Sequence, residues 1–222
     1  WTVEASAGMS KGRNPYTTGY FAGDPNSTLG KFEFNSYNLG IRYMFSPIFG
    51  LKTGFGYDRL KNVEDAGSLP FDTEQIRIDV QAVVNGARLF NIQDNLGRFN
   101  FLMHAGLVYS ALTPKLESSN NFDETDNDVG IIFGIMPEFR VSKKISIFGD
   151  LYGISNFRQH FSWDGNNSAA NNNLTGAMVN VSLGLTYSLG KDDIHGDWAI
   201  IEPASSEEFA ALEERIGSLE TM

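Results

Sequence analysis

The stretch IRIDVQAVVN, residues 76–85, decides how this sequence folds. Arg77 and Asp79 alternate with Ile76, Ile78 and Val80, and this period of two gives a β-strand one apolar face and one charged face. If the apolar face points inward, the protein is a soluble sandwich or a lipocalin-like barrel. If the apolar face points outward, the protein lies in a membrane.

The composition excludes several classes of protein. Asp and Glu outnumber Lys and Arg, and the net charge of −10 argues against a nucleic-acid partner. The absence of cysteine excludes disulfides and thiolate metal sites. A transmembrane helix needs about 18 consecutive apolar residues and no such run exists, but a spanning strand needs only about 9–11 residues. We interpret the opening WTVEASAGM as a mature N-terminus that follows signal-peptide cleavage.

Strand-like alternation recurs eight times along the chain. The segments lie near residues 1–9, 34–45, 49–59, 73–84, 99–112, 128–140, 145–156 and 175–189. Long polar links alternate with short ones, except that the link at 85–98 is longer and is expected to hold a helical turn. An even number of strands with this spacing is typical of an up-and-down barrel, with all the long loops at one end and both termini at the other.

The polar faces of the predicted strands carry both signs of charge and many glycines. Glycine on a water-facing strand lowers stability without any gain in packing, whereas in a narrow eight-stranded lumen it makes room for charged side chains. We therefore predict that the charges form a paired network inside the barrel, too crowded for a wide pore. The predicted lumen residues are Glu4, Arg42, Lys52, Asp58, Arg77, Asp79, Glu138, Arg140 and Asp150.

The apolar faces tend to end in aromatic residues, with aliphatic residues between them. This is the girdle pattern of a membrane barrel, so Ile76, Ile78 and Val80 are predicted to face lipid. An open edge would leave backbone groups unpaired in hydrocarbon, so the last strand must close on the first. The predicted fold class is all-β, an eight-stranded antiparallel up-and-down transmembrane β-barrel over residues 1–190.

The residues after the barrel form a predicted tail. Residues 191–203 break the alternation and form a linker, and residues 204–222 carry a short C-terminal amphipathic helix that begins at a capping box of Ser205 and Glu208. An isolated helix of this length is marginal, so we expect it either to dock on another surface or to lead into a further domain. By strand parity, the tail and both termini are expected on the periplasmic side.

The sequence resembles the OmpA family of outer-membrane proteins, in the version found in Bacteroidota. The resemblance is carried by IRIDVQAVVN with the following NGARLF, FLMHAGLVYS at 101–110, GIIFGIMPEFRVSKKISIFGDLYG at 130–153 and NVSLGLTYSLGKDDIHGDW at 180–198. It implies a barrel in the bacterial outer membrane and a C-terminal periplasmic domain that binds peptidoglycan. That second domain is not among these residues. The ending VSLGLTYSL looks like a signal for the barrel-insertion machinery, with spaced residues Val181, Leu183, Leu185, Tyr187 and Leu189.

Four other features are weighed individually. DETDND at 123–128 holds enough carboxylates for Ca²⁺, but a solvated outer loop is the favoured interpretation. WDG at 163–165 is interpreted as a flexible turn rather than a sugar or phage contact. His104 is predicted to face inward as a hydrogen-bonded structural residue. For His195 and Trp198 two interpretations stay open, an anchor at the membrane rim or a plain linker.

No motif indicates catalysis, a cofactor or a metal ion, so the chain is not expected to be an enzyme. The favoured function is an outer-membrane structural anchor that links the outer membrane to the cell wall and joins a larger outer-membrane complex. Its expected partners are membrane lipid, proteins of such a complex, and peptidoglycan through the further domain alone. A narrow ion-conducting channel is the alternative, and a soluble lipocalin-like binding barrel is the second alternative.

Overall fold

Eight antiparallel strands close into a barrel in which each strand pairs with its neighbours in the chain, and β1 pairs with β8. The computed structural model describes residues 1–22, 33–62, 67–169, 171, 174–190 and 195–198. The strands are β1 Thr2–Asn14, β2 Ser36–Met44, β3 Phe49–Lys61, β4 Asp72–Asn85, β5 Phe99–Pro114, β6 Asp126–Arg140, β7 Ile145–Arg158 and β8 Ala177–Ser188. The predicted fold of the barrel is thereby confirmed.

The link between β4 and β5 contains two single-turn helices, α1 Gly86–Leu89 and α2 Gln93–Leu96, which agrees with the predicted helical turn. Among the residues that the structure describes, no helix has the length and apolar character needed to span a membrane. The predicted amphipathic helix at 204–222 lies outside the described residues, and of the predicted linker only 195–198 is described.

The two ends of the barrel differ in how the strands are joined. The terminal end carries Thr2, Ser188, the short turns at 45–48 and 141–144, and both helices. The loop end carries the four long links. Several strands reach further towards the loop end than predicted, and β1 continues to Asn14 because its alternation with β8 persists through a bulge between Gly12 and Asn14.

The apolar faces of the strands point outward. Leu39 is 60% exposed, Ile78 is 56% exposed and Leu183 is 67% exposed, whereas Arg77 on the opposite face is only 2% exposed. A soluble lipocalin-like barrel would bury the aliphatic face and expose the charged one, so this arrangement is the reverse of that alternative.

Aromatic residues border the apolar band at both ends. At the terminal end the rings of Trp1 and Tyr43 lie 4.7 Å apart. At the loop end the Tyr57 hydroxyl donates to Glu74 at 2.9 Å, and Tyr109 donates to Asn127 at 2.7 Å. Ring edges that are apolar on one side and hydrogen-bonded on the other suit the boundary between hydrocarbon and water.

The lumen contains apolar layers as well as charges, which the alternation pattern did not predict. Near the terminal end Val83, Leu102, Met136 and Phe148 pack together with Met44. A larger cluster closes the loop end; it comprises Ala22, Leu60, Phe71, Val108, Leu112, Ile132, Tyr152, Ile154, Phe161, Trp163 and Met178. Charged groups therefore lie both between and beside the two apolar clusters; Glu138, for example, lies opposite Phe148.

Residues 160–165 form a lid over the loop end, and Trp163 is its centre. It is completely buried, and its indole N–H donates to the carbonyl of Asn14 at 2.8 Å. The neighbouring Asp164 accepts from the backbone N–H of Thr17 at 2.8 Å. Burial and this nearby carboxylate raise the pKa of Tyr16, whose hydroxyl donates to the carbonyl of Gly12 at 3.2 Å. WDG forms a turn, as predicted, but the interpretation of it as flexible is wrong, because its two side chains fasten the lid.

The run DETDND is also more ordered than a solvated outer loop. Asp126 and Asp128 are buried because β6 begins at Asp126 and both residues face the lumen. One oxygen of Asp126 accepts from the backbone N–H groups of His160 at 2.5 Å and Phe161 at 2.7 Å. The prediction of a solvated loop is wrong for these two residues, since Asp126 holds the lid to the barrel.

Replacing Trp163 by alanine is expected to lower the free energy of unfolding by about 3–5 kcal/mol, because the lid cannot refill the space of a buried indole. Denaturant unfolding of the refolded protein in detergent micelles measures this loss. Phe122→Ala is the matched control, since Phe122 is an aromatic loop residue that is 44% exposed. An equal, small loss in both variants would contradict the assignment of Trp163 as the centre of the lid.

Candidate functional site: a sealed, charged lumen

Arg42 is the centre of the charge cluster nearest the terminal end. It is fully buried, and its guanidinium contacts Glu4 at 3.1 Å, Glu138 at 3.0 Å and Asp197 at 2.8 Å. Three carboxylates from β1, β6 and the segment after β8 thus converge on one cation from β2. Such a group stays inside a protein only when it is paired in this way.

Asp197 belongs to a segment that returns into the barrel mouth after β8. His195 is fully buried and lies between Thr186, at 2.9 Å from Nε2, and the Asp197 carboxylate, at 3.1 Å from Nδ1. The Asn85 amide donates to the carbonyl of Asp197 at 2.9 Å. We call residues 195–198 the plug. Neither interpretation left open for His195 describes it, because the residue lies inside the mouth.

Trp198 completes the plug and contacts two arginines. Arg88 donates to its carbonyl at 3.0 Å, and the Arg140 guanidinium lies 5.3 Å from the centre of its ring. Arg140 was predicted to join the ionic network of the lumen. It lies on the lumen-facing row of β6, opposite the buried Ser146, but its described partner is the indole ring, in an interaction between a cation and a π-system.

A second layer of charges lies next to Arg42, on the side of the loop end. Lys52 contacts Glu4 at 2.7 Å and Asp150 at 3.9 Å. His104 lies 3.0 Å from the same Asp150 and 2.5 Å from the Gln81 side chain, which in turn donates to Asp79 at 2.6 Å. His104 thus lies inside as a hydrogen-bonded residue. A cavity of about 20 Å³ lies among these groups, which is room for roughly one water molecule.

Arg77 forms the third layer. Its guanidinium donates to Asp58, to Asn38 and to the Tyr152 hydroxyl. Asp58 also accepts from the Ser10 hydroxyl at 2.5 Å. Polar side chains from four further strands thereby fix this arginine in the middle of the barrel.

Glycines beside Arg77 and Asp79 make this layer possible. A Cβ atom at Gly54 would lie 2.6 Å from an Asp79 oxygen, and one at Gly56 would overlap the Arg77 guanidinium. The two glycines on β3 face the two charges on β4 in register. The glycine content of the polar faces is therefore explained by the volume of the charged side chains beside it.

Acids outnumber bases in the lumen network described above. Three cations, Arg42, Lys52 and Arg77, stand against six carboxylates, Glu4, Asp58, Asp79, Glu138, Asp150 and Asp197. The lumen residues predicted from the sequence comprise four bases and five acids. The difference arises because Asp197 enters from the tail and Arg140 pairs with Trp198. In formal charge, this excess of acids favours cations over anions in the lumen.

The lumen is closed at three levels within the part of the chain that the structure describes. The lid covers the loop end, the paired charges fill the middle, and the plug with the apolar cluster around Met136 fills the terminal end. Among the same residues, no group of three or more His, Asp or Glu side chains is placed to hold a metal ion.

The proposed insertion signal lies on the outer face of the closing strand. Its five members alternate outward, and the backbone N–H of Leu189 donates to the carbonyl of Trp1 at 2.8 Å. The signal role itself stays a prediction. The five members of the proposed signal are each at least 43% exposed; they are Val181, Leu183, Leu185, Tyr187 and Leu189.

Two solved structures share this fold. Neisserial surface protein A superposes with a TM-score of 0.50 and 16% identity over 84% of this chain and 95% of its own. A major outer membrane protein from Thermus thermophilus gives a TM-score of 0.50 and 14% identity over 84% of this chain and 97% of its own. No protein-family model matches the sequence, and no curated protein matches it. At these identities the likeness shows the fold alone.

Removing the charge of Arg77 is expected to destabilise the barrel strongly. Arg77→Met leaves Asp58 buried without its cation, and the free energy of unfolding should fall by about 3–5 kcal/mol. The double variant Arg77→Met, Asp58→Asn removes both charges and should recover a large part of this loss. Denaturant midpoints in micelles measure both variants, and a double variant no more stable than Arg77→Met would contradict the pairing.

Adding one methyl group at Gly56 tests the packing of the arginine layer. Gly56→Ala places a Cβ against the Arg77 guanidinium, so the free energy of unfolding should fall by about 1–3 kcal/mol. Gly40→Ala is the matched control, because a Cβ at this lumen glycine lies no closer than 3.4 Å to its neighbours. We expect that variant to change stability by less than about 1 kcal/mol. Equal losses at both positions would argue against the volume explanation.

Proposed function

We propose that the chain is a bacterial outer-membrane barrel of the OmpA type, acting as a structural anchor with both termini on the periplasmic side. The apolar outer face and the closed edge support membrane insertion, because a barrel in lipid must satisfy every backbone group internally. The shared fold of two outer-membrane proteins agrees with this location. The alternative of a soluble binding barrel has no support, because the aliphatic faces of the strands point outward and the charged faces point into the lumen.

The sealed lumen is the observation that carries the anchoring role. A transport protein needs a path for its solute, whereas the described lumen holds a cavity of about 20 Å³ between paired charges. Buried ion pairs contribute little net stability compared with apolar packing, but they specify one arrangement of the strands around them. A rigid closed cylinder suits a protein whose task is to hold a position in the membrane.

The plug supports a tether at the terminal end. Asp197 is bound to Arg42 and Trp198 to Arg88, so the chain that continues from residue 198 leaves from a fixed point at the mouth. In an anchor this junction carries the load between the barrel and the cell wall. Contact with peptidoglycan requires a further domain, and we assign that contact to no residue of this chain. Membership of a larger outer-membrane complex would use the same junction or the outer loops.

A narrow cation channel is the second candidate. The acid excess of the lumen and its cavity of about 20 Å³, whose lining includes Lys52, Asp79 and Asp150, favour it. Catalysis forms no part of either candidate, and we expect no enzymatic activity.

The anchor and the channel differ in conductance. In planar bilayers the purified barrel should show rare, small openings, because three ion-pair layers and the plug block the lumen. Asp197→Ala removes one partner of Arg42 and should loosen the plug, so that openings become more frequent; Asp123→Ala, which removes a carboxylate at 66% exposure in a loop, is the control. Steady large conductance of the unmodified protein would favour the channel instead.

The cell-wall link is tested on the full gene product in its own envelope. We expect it to sediment with peptidoglycan sacculi in mild detergent and to be released when lysozyme digests the sacculi. Complete extraction by mild detergent from undigested envelopes would contradict the anchor.

A further inference from the structure

The outer wall of the barrel has a groove along β1. Ala5 and Ala7 face outward there, between larger residues on both neighbouring strands. Ala5 lies opposite Leu185 on β8 and Leu39 on β2, and Ala7 lies opposite Leu183 and Tyr37. Two small side chains in one row leave a depression of about 550 Å³ in the apolar surface; it is lined by Ala5, Ser6, Ala7, Tyr37, Asn38, Leu39, Phe55, Tyr57, Leu183, Gly184 and Leu185.

The width of the groove limits what can fill it. Its walls stand on strands that are two inter-strand spacings apart, roughly 9–10 Å between backbones, and side chains take part of this width. An α-helix with its side chains is about 10–12 Å across and would rest on the rim. The flat wall of a second barrel would also bridge the groove and lose contact with its floor. A single alkyl chain is narrow enough to touch both walls and the floor.

The groove becomes polar towards the loop end. The outward row of β1 continues from Ala7 through Met9 to Lys11, and the exposed Arg13 follows. On the other wall, Tyr37 and Tyr57 also line a second depression of about 430 Å³; its remaining lining residues are Glu33, Phe34, Asn35, Arg59 and Lys61. Arg59 and Lys61 are paired with Asp72, and Glu33 adds a carboxylate here, so the positive charge that suits an anionic headgroup comes from Lys11 and Arg13. An apolar trough that ends in aromatic and then basic residues matches an amphiphile with such a headgroup.

We propose that this groove binds one acyl chain of a phosphate-bearing membrane lipid, whose headgroup lies at Lys11 and Arg13. The proposal rests on the membrane location given under Proposed function. Phosphate oxygens accept charge-assisted hydrogen bonds from ammonium and guanidinium groups. Contacts of the headgroup with Lys11 and Arg13 thereby distinguish this lipid from the surrounding solvent lipid.

The test uses the whole chain inserted into phosphatidylcholine vesicles that contain equal minor amounts of phosphatidylglycerol and diacylglycerol. After transfer to mild detergent, native mass spectrometry counts the retained lipids. We expect one phosphatidylglycerol per barrel, enriched about tenfold over diacylglycerol, the discrimination that one charge-assisted contact supplies. Excess inorganic phosphate should not displace it, because the acyl chain contributes most of the contact.

Filling the groove should release the lipid. Ala5→Leu, Ala7→Leu is expected to lose the retained lipid, while Ala105→Leu, at an exposed outward alanine of β5 far from the groove, is expected to keep it. All three leucines face the apolar surroundings, and heat-modifiable gel mobility checks that each variant is folded. Lys11→Gln, Arg13→Gln should lose the preference for phosphatidylglycerol.

Three results would overturn the proposal. These are inserted barrels that retain no lipid, equal retention by the groove-filled variant and the wild type, and an unchanged headgroup preference without Lys11 and Arg13. Failure of the wild-type chain to insert into vesicles would overturn the membrane location as well. Insertion without a retained lipid would overturn the groove alone.

Discussion

The pairing of β1 with β8 is the constraint on which the rest of the structure depends. It runs from Thr2 opposite Ser188 to Asn14 opposite Ala177 and leaves the sheet without a free edge. Closure sets the total stagger that the registers of all eight strand pairs must add up to, and register decides which side chains enter the lumen. One residue of slip in β4 would turn Arg77 towards the outer surface and Ile78 into the lumen. The ion pairs and the outward aliphatic face are therefore two results of one arrangement of hydrogen bonds.

The barrel could be predicted from the sequence because its signals are local. Alternation in segments such as IRIDVQ assigns faces, and the lengths of the links assign the two ends. The many glycines on the charged faces indicated a crowded lumen, whereas the position of Gly54 opposite Asp79 follows from the register of β3 and β4. The strand ends were less predictable: β1 extends past residue 9 because it gains partners on β8, which is a tertiary effect.

The closures of the lumen could not be predicted in the same way. Trp163 lies in a polar loop whose composition is typical of a flexible turn, and only the barrel beneath it supplies the carbonyl of Asn14 as its partner. Asp197 is 155 positions from Arg42 along the chain, so no local pattern connects them. His195 and Trp198 were singled out in the sequence, but their aromatic character indicated a membrane rim equally well. Contacts between residues so far apart in the chain depend on the shape of the folded barrel, and the periodicity of the sequence does not predict them.

The position of Asp197 in the chain has a consequence for a shortened protein. The strands of the cylinder end at Ser188, whereas residues 195–198 supply one carboxylate to Arg42 and one carbonyl to the Asn85 amide. A cylinder cut after its closing strand would therefore leave Arg42 and its neighbours Glu4 and Glu138 open to water at the terminal mouth.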